Sequence, residues 1–226
     1  MTDKPLRLVI FDVDGTLVDS QADILSAMGI AFENEGLTPP ERAQTLGVVG
    51  LSLDVLMPLL APDEDAARHA RLVQGYKDAY MTLRAAQSSS VSSPLYPGAR
   101  AVLEMLHAQP EVLLGVATGK SKRGLDKLIE GHGLEGMFVT QQVADFHPSK
   151  PHPSMLHQAL SDTGLEAADA VMIGDTSFDM EMAHAAGITG IGVGWGYHKR
   201  GQLTAARHFI EDFAALPPLL NTIWKA

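Results

Sequence analysis

The sequence predicts an α/β fold, in which a parallel sheet flanked by helices is interrupted by a helical insertion. Short apolar runs alternate with stretches of helical periodicity, which is the pattern of parallel βα units. A region of about 70 residues near the amino terminus has helical periodicity only, with no strand pattern. With 226 residues, 46% of them hydrophobic, the chain can form one sizeable core together with a smaller insertion.

Four apolar runs have the length and composition of buried strands, and helical spacing separates them. The runs are 8–11, 112–117, 170–173 and 188–193. Helices are predicted from Pro97-Gly98 onward, over 125–129, from Phe178 to a C-cap at Gly187, and from Pro217-Pro218 onward.

The insertion is predicted to cover residues 20–90, and residues 1–19 and 91–226 then form the α/β core. An apolar stripe over 24–32 predicts its first helix, and the segment from Thr38 to Glu41 resembles a capping-box start. A long helix is expected over 63–87, followed by a Ser-rich linker without periodicity over 87–94. We expect hinges near 17–20 and 88–93.

Charge and composition limit the classes of function. The chain has 17 Lys and Arg against 27 Asp and Glu, a net charge of −10, which disfavours binding to nucleic acid or to an anionic membrane. The chain has no Cys, which excludes disulfides, zinc-thiolate sites, iron-sulfur clusters and thiol nucleophiles. The absence of a long apolar stretch and of a signal-peptide pattern leads us to expect a cytoplasmic protein, monomeric or homodimeric.

Two aspartates end the first apolar run. Asp12 and Asp14 flank Val13 at the carboxyl end of the predicted strand, where open α/β sheets bind their ligands. Two carboxylates leaving a strand on one side make a cation site or an acid/base pair. Asp14-Gly15-Thr16 also suits a tight turn, so this short motif by itself leaves both interpretations open.

The longer segment FDVDGTLVDS resembles the first motif of the haloacid dehalogenase superfamily of phosphohydrolases. Further pieces follow in that family's order at later strand ends: Thr118 in GVATGKS, Lys150 in HPSKPHP, and Asp175 with Asp179 in MIGDTSFDM. The resemblance implies a Rossmann-like parallel sheet core with an inserted all-helical cap domain. WGYH at 195–198 and VGLS at 49–52 are similar to phosphoglycolate phosphatase-like members.

The resemblance also implies a role for each acidic residue. Asp12 would be the nucleophile and Asp14 the general acid and base. Because Asp12, Asp175 and a substrate phosphate bring three negative centres together, a divalent cation is needed, and Mg²⁺ suits hard oxygen ligands. The implied ligands are the Asp12 carboxylate, the Asp14 carbonyl and Asp175, with Asp179 orienting metal-bound waters.

Groups that bind the substrate are expected on both the core and the cap. The implied phosphoryl-binding set is Thr118, Lys150 and the amides of Val13, Asp14 and Gly119. In the cap loop, Gly50 and Ser52 are expected to contact the substrate. Lys120, Lys122 and Arg123 are typical of a solvated helix start, although they could add positive potential at the mouth of the site.

These observations predict a magnesium-dependent phosphatase that forms an aspartyl-phosphate and acts on a small phosphorylated metabolite, with 2-phosphoglycolate as the first candidate. A dehalogenase would not need Asp14, and a phosphonate hydrolase would need a lysine in the cap loop 49–53. One alternative is β-phosphoglucomutase-like phosphoryl transfer, although such enzymes usually carry arginine just after the cap loop, where this chain has Leu53. The other alternative is a non-catalytic module that binds phosphorylated ligands.

Overall fold

A computed structural model describes residues 5–86 and 89–225, and within them six strands form one parallel sheet in the order β3-β2-β1-β4-β5-β6. The strands are β1 Arg7–Phe11, β2 Val112–Thr118, β3 Thr140–Val143, β4 Ala170–Gly174, β5 Thr189–Val193 and β6 His208–Ile210. The four predicted apolar runs coincide with the four central strands, β1, β2, β4 and β5.

Ten α-helices lie within the same described residues. They are α1 Gln21–Asn34, α2 Arg42–Leu46, α3 Leu53–Leu60, α4 Ala66–Ala86, α5 Ser89–Ser92, α6 Ala99–His107, α7 Lys122–His132, α8 Ser154–Thr163, α9 Ser177–Ala185 and α10 Leu216–Ile223.

The sheet is buried on both faces, as expected for a parallel sheet. Successive side chains of β1 point to opposite faces. Val9 and Phe11 join the apolar cluster that contains α6, α7 and α10, whereas Leu8 and Ile10 join the cluster that contains α8 and α9. After Arg7 the strand is therefore apolar instead of alternating, and the next charged residue is the aspartate that follows it.

Helices α1 to α4 of the insertion form a second, smaller core. Met28 of α1, Met57 of α3 and Leu72 of α4 are buried against one another in one cluster. Phe178, at the start of α9, packs against this cluster from the sheet domain. The predicted fold class, a Rossmann-like parallel sheet with an inserted all-helical cap, is confirmed, and the division at residues 20 and 90 stays our proposal.

Two details of the cap differ from the prediction. The capping box lies at Glu41, whose backbone N–H donates to Gln44 Oε1 at 2.9 Å, and not at Thr38. The two prolines explain the shift, because the residue before a proline is biased towards extended backbone. In the Ser-rich segment, Ser89–Ser92 forms one helical turn, so the prediction of a linker without periodicity is wrong there. Gln87 and Ser88 lie outside the described residues.

The residues that follow this turn are tied to both domains. The Ser93 hydroxyl accepts from Arg84 Nη2 at 2.8 Å and donates to Asp23 Oδ2 at 3.0 Å. The carbonyl of Ser93 accepts from His132 Nε2, at the end of α7, at 3.0 Å. These contacts do not test whether the segment 88–93 is flexible, so the predicted hinge there stays a prediction.

Strand order determines where a ligand can bind. From β1 the chain first adds β2 and β3 on one side, then crosses to add β4, β5 and β6 on the other. Such a reversal opens a crevice at the carboxyl ends of the two strands that flank it, here β1 and β4. A search of residues 5–86 and 89–225 for membrane-crossing helices found none with both the required length and the required apolar character.

Candidate active site

Four chain segments that are distant in sequence meet at the crevice between β1 and β4. Asp12 follows β1, Thr118 is the last residue of β2, and Asp175 follows β4. Lys150 comes from the loop between β3 and α8, and Asp179 from the first turn of α9. The structure thus brings together the residues of the motifs that resemble the phosphohydrolase family.

Asp12 is almost completely buried, with 1% of its surface exposed. Its Oδ1 accepts from Lys150 Nζ at 2.7 Å, whereas its Oδ2 is buried and has no hydrogen-bond partner. Burial raises the pKa of Asp12 to about 7; Lys150 opposes this rise, and the neighbouring Asp179 adds to it. The unpartnered oxygen is the atom of this carboxylate that is available to a cation or an electrophile.

Asp175 fits between two glycines. A Cβ on Gly15 would lie 2.2 Å from Asp175 Oδ2, and a Cβ on Gly196 would lie 2.0 Å from Asp175 Cβ. The carboxylate accepts from Thr16 Oγ1 at 2.9 Å and from the backbone N–H of Tyr197 at 2.8 Å. Burial, with Asp179 and Asp12 nearby, raises the pKa of Asp175 well above its usual value.

Asp179 is held at the start of α9 and in turn holds Lys150. Its Oδ2 accepts from Thr176 N at 3.0 Å and from Thr176 Oγ1 at 2.7 Å, which caps the helix. Its Oδ1 accepts from Lys150 Nζ at 2.6 Å. Burial would lower the pKa of Lys150, but Asp12 and Asp179 raise it above its usual value, so the buried ammonium stays charged.

The three buried carboxylates can hold a divalent metal ion. One oxygen each of Asp12, Asp175 and Asp179 lies within 4.8 Å of the other two. Hydrogen bonds engage both oxygens of Asp175 and both oxygens of Asp179, so Oδ2 of Asp12 is the one oxygen of the triad without a hydrogen-bond partner. An all-oxygen donor set of this kind suits a hard cation.

Asp14 points to the other side of the crevice, towards the cap. Its Oδ1 accepts from the Ser20 hydroxyl and, at 2.8 Å, from Lys120 Nζ. The Ser20 hydroxyl is in turn 3.2 Å from the Tyr197 hydroxyl. Asp14 is 8% exposed and lines a cavity, so its carboxylate can exchange a proton with a group bound there.

The predicted phosphoryl-binding residues lie around Asp12, and some of them line the cavity whereas others do not. Thr118 and Val13 are fully buried, and Thr118 and Gly119 line the same cavity as Asp12. The Thr118 hydroxyl accepts from the backbone N–H of Lys120 at 3.2 Å. Lys150 contacts Asp12 and Asp179 and lies outside the described lining of the cavity.

The cap loop 47–53 closes directly onto this site. A Cβ on Gly119 would lie 2.7 Å from the carbonyl oxygen of Gly50, so the two backbones touch. The Ser52 backbone N–H donates to Ser149 Oγ at 2.8 Å, and the Gly47 carbonyl accepts from His198 Nε2 at 3.1 Å. Gly50 lines the cavity, whereas Ser52 joins the cap to the core and lies outside the described lining.

A cavity of about 630 Å³ lies between the cap and the core. The cap side of the cavity has both apolar and polar lining: Ile24, Met28, Val49, Leu51 and Leu56 are apolar, and Thr45, Gln74, Tyr76, Lys77, Tyr80 and Arg84 are polar or charged. The prediction that Lys120 belongs to a solvated helix start is wrong, because its side chain is only 9% exposed and contacts Asp14. Lys122 does lie at the surface, where it pairs with Asp126.

The fold and this arrangement of carboxylates and lysine define a phosphoryl-group hydrolase, and comparison with known proteins agrees. A family model described as haloacid dehalogenase-like hydrolase matches residues 9–193. The chain belongs to this family. It is a phosphatase of that family and is phosphoglycolate phosphatase-like, as the predicted resemblance implied.

The relatives in question match most of the chain. The protein named "Probable phosphatase IndB" from Dickeya dadantii is 36% identical over 206 residues, which is 90% of this chain and 86% of the relative. A phosphoglycolate phosphatase of Aliivibrio fischeri is 32% identical over 207 residues, with 86% and 87% of the two chains covered. A crystal structure of a predicted phosphoglycolate phosphatase from Haemophilus somnus superimposes with a TM-score of 0.83 at 22% identity, covering 96% of this chain and 99% of the other, which shows the shared fold.

Several residues of the site were not singled out from the sequence as site residues. Ser20, Tyr80 and Tyr197 contact Asp14 directly or through one partner. Gly196 provides the space for Asp175. The sequence carried a signal for Ser20, the last residue of FDVDGTLVDS, and for Tyr197 and Gly196, which lie in the WGYH segment, but none for Tyr80.

Proposed function

We propose that the protein is a magnesium-dependent phosphatase that hydrolyses a small phosphate monoester through an aspartyl-phosphate intermediate. One observation carries the proposal: the unpartnered, buried Oδ2 of Asp12 lies beside a charged lysine and two further carboxylates. Asp12, Asp14, Thr118 and Lys150 are the proposed catalytic residues.

In the first half of the reaction the Asp12 carboxylate attacks phosphorus. A bond forms from Asp12 Oδ2 to phosphorus, the bond from phosphorus to the ester oxygen breaks, and Asp14 donates a proton to the departing alkoxide. Lys150 holds Asp12 Oδ1 at 2.7 Å, which directs the other oxygen of the carboxylate towards the substrate.

In the second half a water molecule attacks the phosphorus of the aspartyl-phosphate. Asp14, now ionised, takes a proton from that water, inorganic phosphate leaves, and the Asp12 carboxylate is restored. The Thr118 hydroxyl, the amides of Val13, Asp14 and Gly119, and the Lys150 ammonium would neutralise the phosphoryl oxygens.

Asp12, Asp175 and the Asp14 carbonyl are the proposed Mg²⁺ ligands, and Asp179 supports them by holding Lys150. A bound Mg²⁺ would offset the charge of the carboxylates and of the substrate phosphate, which otherwise repel each other. Asp12 Oδ2 accepts no hydrogen bond and is left for the attack on phosphorus, whereas the other carboxylate oxygens of the triad already accept from Lys150, Thr16, Thr176 or Tyr197.

We place 2-phosphoglycolate first among candidate substrates because the relative from Aliivibrio fischeri is named for it. The cavity of about 630 Å³ has room for a short sugar phosphate as well. The contact between Gly50 and Gly119 encloses the site, so proteins and nucleic acids should be poor substrates. A cytoplasmic, monomeric or homodimeric enzyme without a nucleic-acid or membrane partner completes the proposal.

The test is a panel of phosphate monoesters assayed with and without Mg²⁺: 2-phosphoglycolate, small sugar phosphates, nucleotides and a phosphopeptide. We expect Mg²⁺-dependent release of phosphate from the small esters, and we expect Asp12→Asn to abolish turnover while thermal unfolding stays cooperative. Near-wild-type activity of Asp12→Asn would refute the mechanism. Transfer of phosphate between two sugar positions without release would instead favour the mutase alternative, and binding without turnover would favour a phospho-ligand-binding module.

A further inference from the structure

Lys120 occupies a special place beside the proposed acid/base residue. It follows Thr118 by two positions, and its ammonium lies 2.8 Å from Asp14 Oδ1 and 3.1 Å from the Tyr80 hydroxyl. An ammonium has three donors, and these two contacts use two of them. The remaining N–H belongs to a side chain that lines the cavity between cap and core.

Tyr80 of helix α4 reaches the same point from the cap. Its oxygen accepts from Lys120 Nζ and from Arg84 Nη2, the latter at 2.9 Å. Since both contacts are donated to the oxygen, the hydrogen of the phenol is left for a third partner. Tyr80 also lines the cavity, so this donor and the lysine converge on one region of it.

The lining of the cavity has more positive than negative side chains, in a chain whose net charge is −10. Among the described residues of the lining, the five cationic ones are Lys77, Arg84, Lys120, Arg123 and Lys127, and the three acidic ones are Asp12, Asp14 and Asp145. Lys150 lies outside this lining, where Asp12 and Asp179 hold its ammonium. Arg84 pairs with Asp23 and Lys127 pairs with Glu130, so Lys120 is the cation beside Asp14 that is best placed to meet a second anion, on the part of the substrate that leaves.

We propose that Lys120 and Tyr80 form a binding site for an anionic group on the leaving group, so that the substrates are phosphate monoesters carrying a carboxylate or a second phosphate. Because Asp14 must reach the ester oxygen and Lys120 contacts Asp14, an anion a few atoms from that oxygen lies within reach of Lys120 and Tyr80. This inference rests on the proposed phosphatase function and narrows its substrate class.

The experiment compares kcat/KM for esters of similar size: 2-phosphoglycolate with a carboxylate, ethylene glycol bisphosphate with a second phosphate, and 2-hydroxyethyl phosphate with no second charge. p-Nitrophenyl phosphate reports general phosphatase activity. We expect the wild type to prefer at least one anionic ester over the neutral one by roughly 10- to 100-fold, the range of charge-assisted hydrogen bonds. Which anionic ester reacts faster distinguishes a carboxylate from a phosphate.

The variants Tyr80→Phe and Lys120→Met distinguish a loss of anion binding from a general structural effect on activity. Tyr80→Phe keeps the ring and removes only the hydroxyl; its loss on the preferred anionic ester should exceed its loss on 2-hydroxyethyl phosphate by about tenfold. Lys120→Met should further lower the ratio of kcat/KM for the preferred anionic ester to kcat/KM for 2-hydroxyethyl phosphate. The surface variant Lys122→Met should leave that ratio at the wild-type value.

The two proposals fail in different ways. Hydrolysis of none of the esters, p-nitrophenyl phosphate included, would overturn the proposed function. Normal hydrolysis with equal kcat/KM for anionic and neutral esters, or equal losses on both in Tyr80→Phe and Lys120→Met, would overturn the anion site alone.

Discussion

Asp175 owes its position to the absence of two side chains. Both Gly15 and Gly196 approach its carboxylate more closely than a Cβ would allow, and Thr16 and Tyr197 then donate to its two oxygens. The glycines thus contribute to the proposed metal site only by leaving room for Asp175. A search for charged or polar residues would overlook them.

We expect Gly196→Ala to displace Asp175 and raise the apparent Kd for Mg²⁺ by about tenfold or more, as for other residues that orient metal ligands. Isothermal titration of the protein with Mg²⁺ measures this directly. Gly201→Ala is the matched control, because a Cβ there would meet nothing within 4 Å. Unchanged Mg²⁺ affinity in Gly196→Ala would contradict the assignment of Asp175 as a ligand.

The pKa of Asp12 makes Mg²⁺ binding depend on pH. In the metal-free protein burial raises this pKa to about 7, so below pH 7 Mg²⁺ must displace a proton to reach the carboxylate. The apparent affinity should fall by about tenfold per pH unit below pH 7 for each proton displaced, and level off above it. Titrations at pH 6 and pH 8 in two buffers of different ionisation enthalpy count the protons released; equal affinity at both pH values would contradict the prediction.

The motif residues could be predicted from sequence, whereas most of their partners could not. Asp12, Thr118 and Asp175 each end or follow a strand of a parallel sheet, so local pattern places them at one edge. Tyr80 lies 40 residues from Lys120 and meets it only because the cap closes over the core. No local periodicity encodes a contact of that kind.

At the level of elements, the central strands were predictable and the edge strands were not. β4 and the residues of β1 after Arg7 are apolar because helices cover both faces, which gives a strong signal. β3 has the sequence TQQV and β6 has only three residues, so both lack the apolar run on which the prediction depends. Their pairing with β2 and β5 is a property of the sheet and not of their own composition.

We expect the cap loop 47–53 to control the access of substrate to the site. It contacts Gly119, Ser149 and His198, three residues from three different loops of the core. A substitution that separates these surfaces should therefore open the site without altering any carboxylate.

Gly119→Ala provides that substitution, because its Cβ would lie 2.7 Å from the Gly50 carbonyl oxygen. We expect kcat/KM for the best small ester to fall by about 100-fold, the cost of misplacing reacting groups by about 1 Å. Hydrogen exchange of the 47–53 segment should become faster at the same time.

Gly29→Ala in α1 is the control, since a Cβ there would meet nothing within 4 Å and alanine favours a helix. It should keep both activity and protection of the loop. Faster exchange of the 47–53 segment in Gly119→Ala, together with full activity of that variant, would show that loop closure does not govern catalysis.

For the molecule as a whole, the buried carboxylates lower the free energy of unfolding of the metal-free protein as they ionise. Asp12 and Asp175 have pKa values above the usual 3.8, so the folded protein binds more protons than the unfolded chain between about pH 4 and pH 7. Metal-free protein therefore loses stability as the pH rises through that range. A cation bound only by the folded state reverses the loss, by about 2.7 kcal/mol at 100 times its Kd.

Asp175→Asn tests, at pH 8, whether the ionised carboxylate destabilises the metal-free protein and whether a bound cation reverses this. The amide can keep both contacts, because its oxygen accepts from the Tyr197 N–H and its NH₂ donates to the Thr16 hydroxyl, which can turn to accept. We expect the metal-free variant to melt at a higher temperature than the metal-free wild type, because one buried negative charge is gone. Saturating Mg²⁺ should raise the Tm of the wild type by roughly 5–10 °C and leave that of the variant unchanged. Differential scanning calorimetry with and without Mg²⁺ measures both effects, and an equal Mg²⁺-induced shift in the two proteins would place the ion elsewhere.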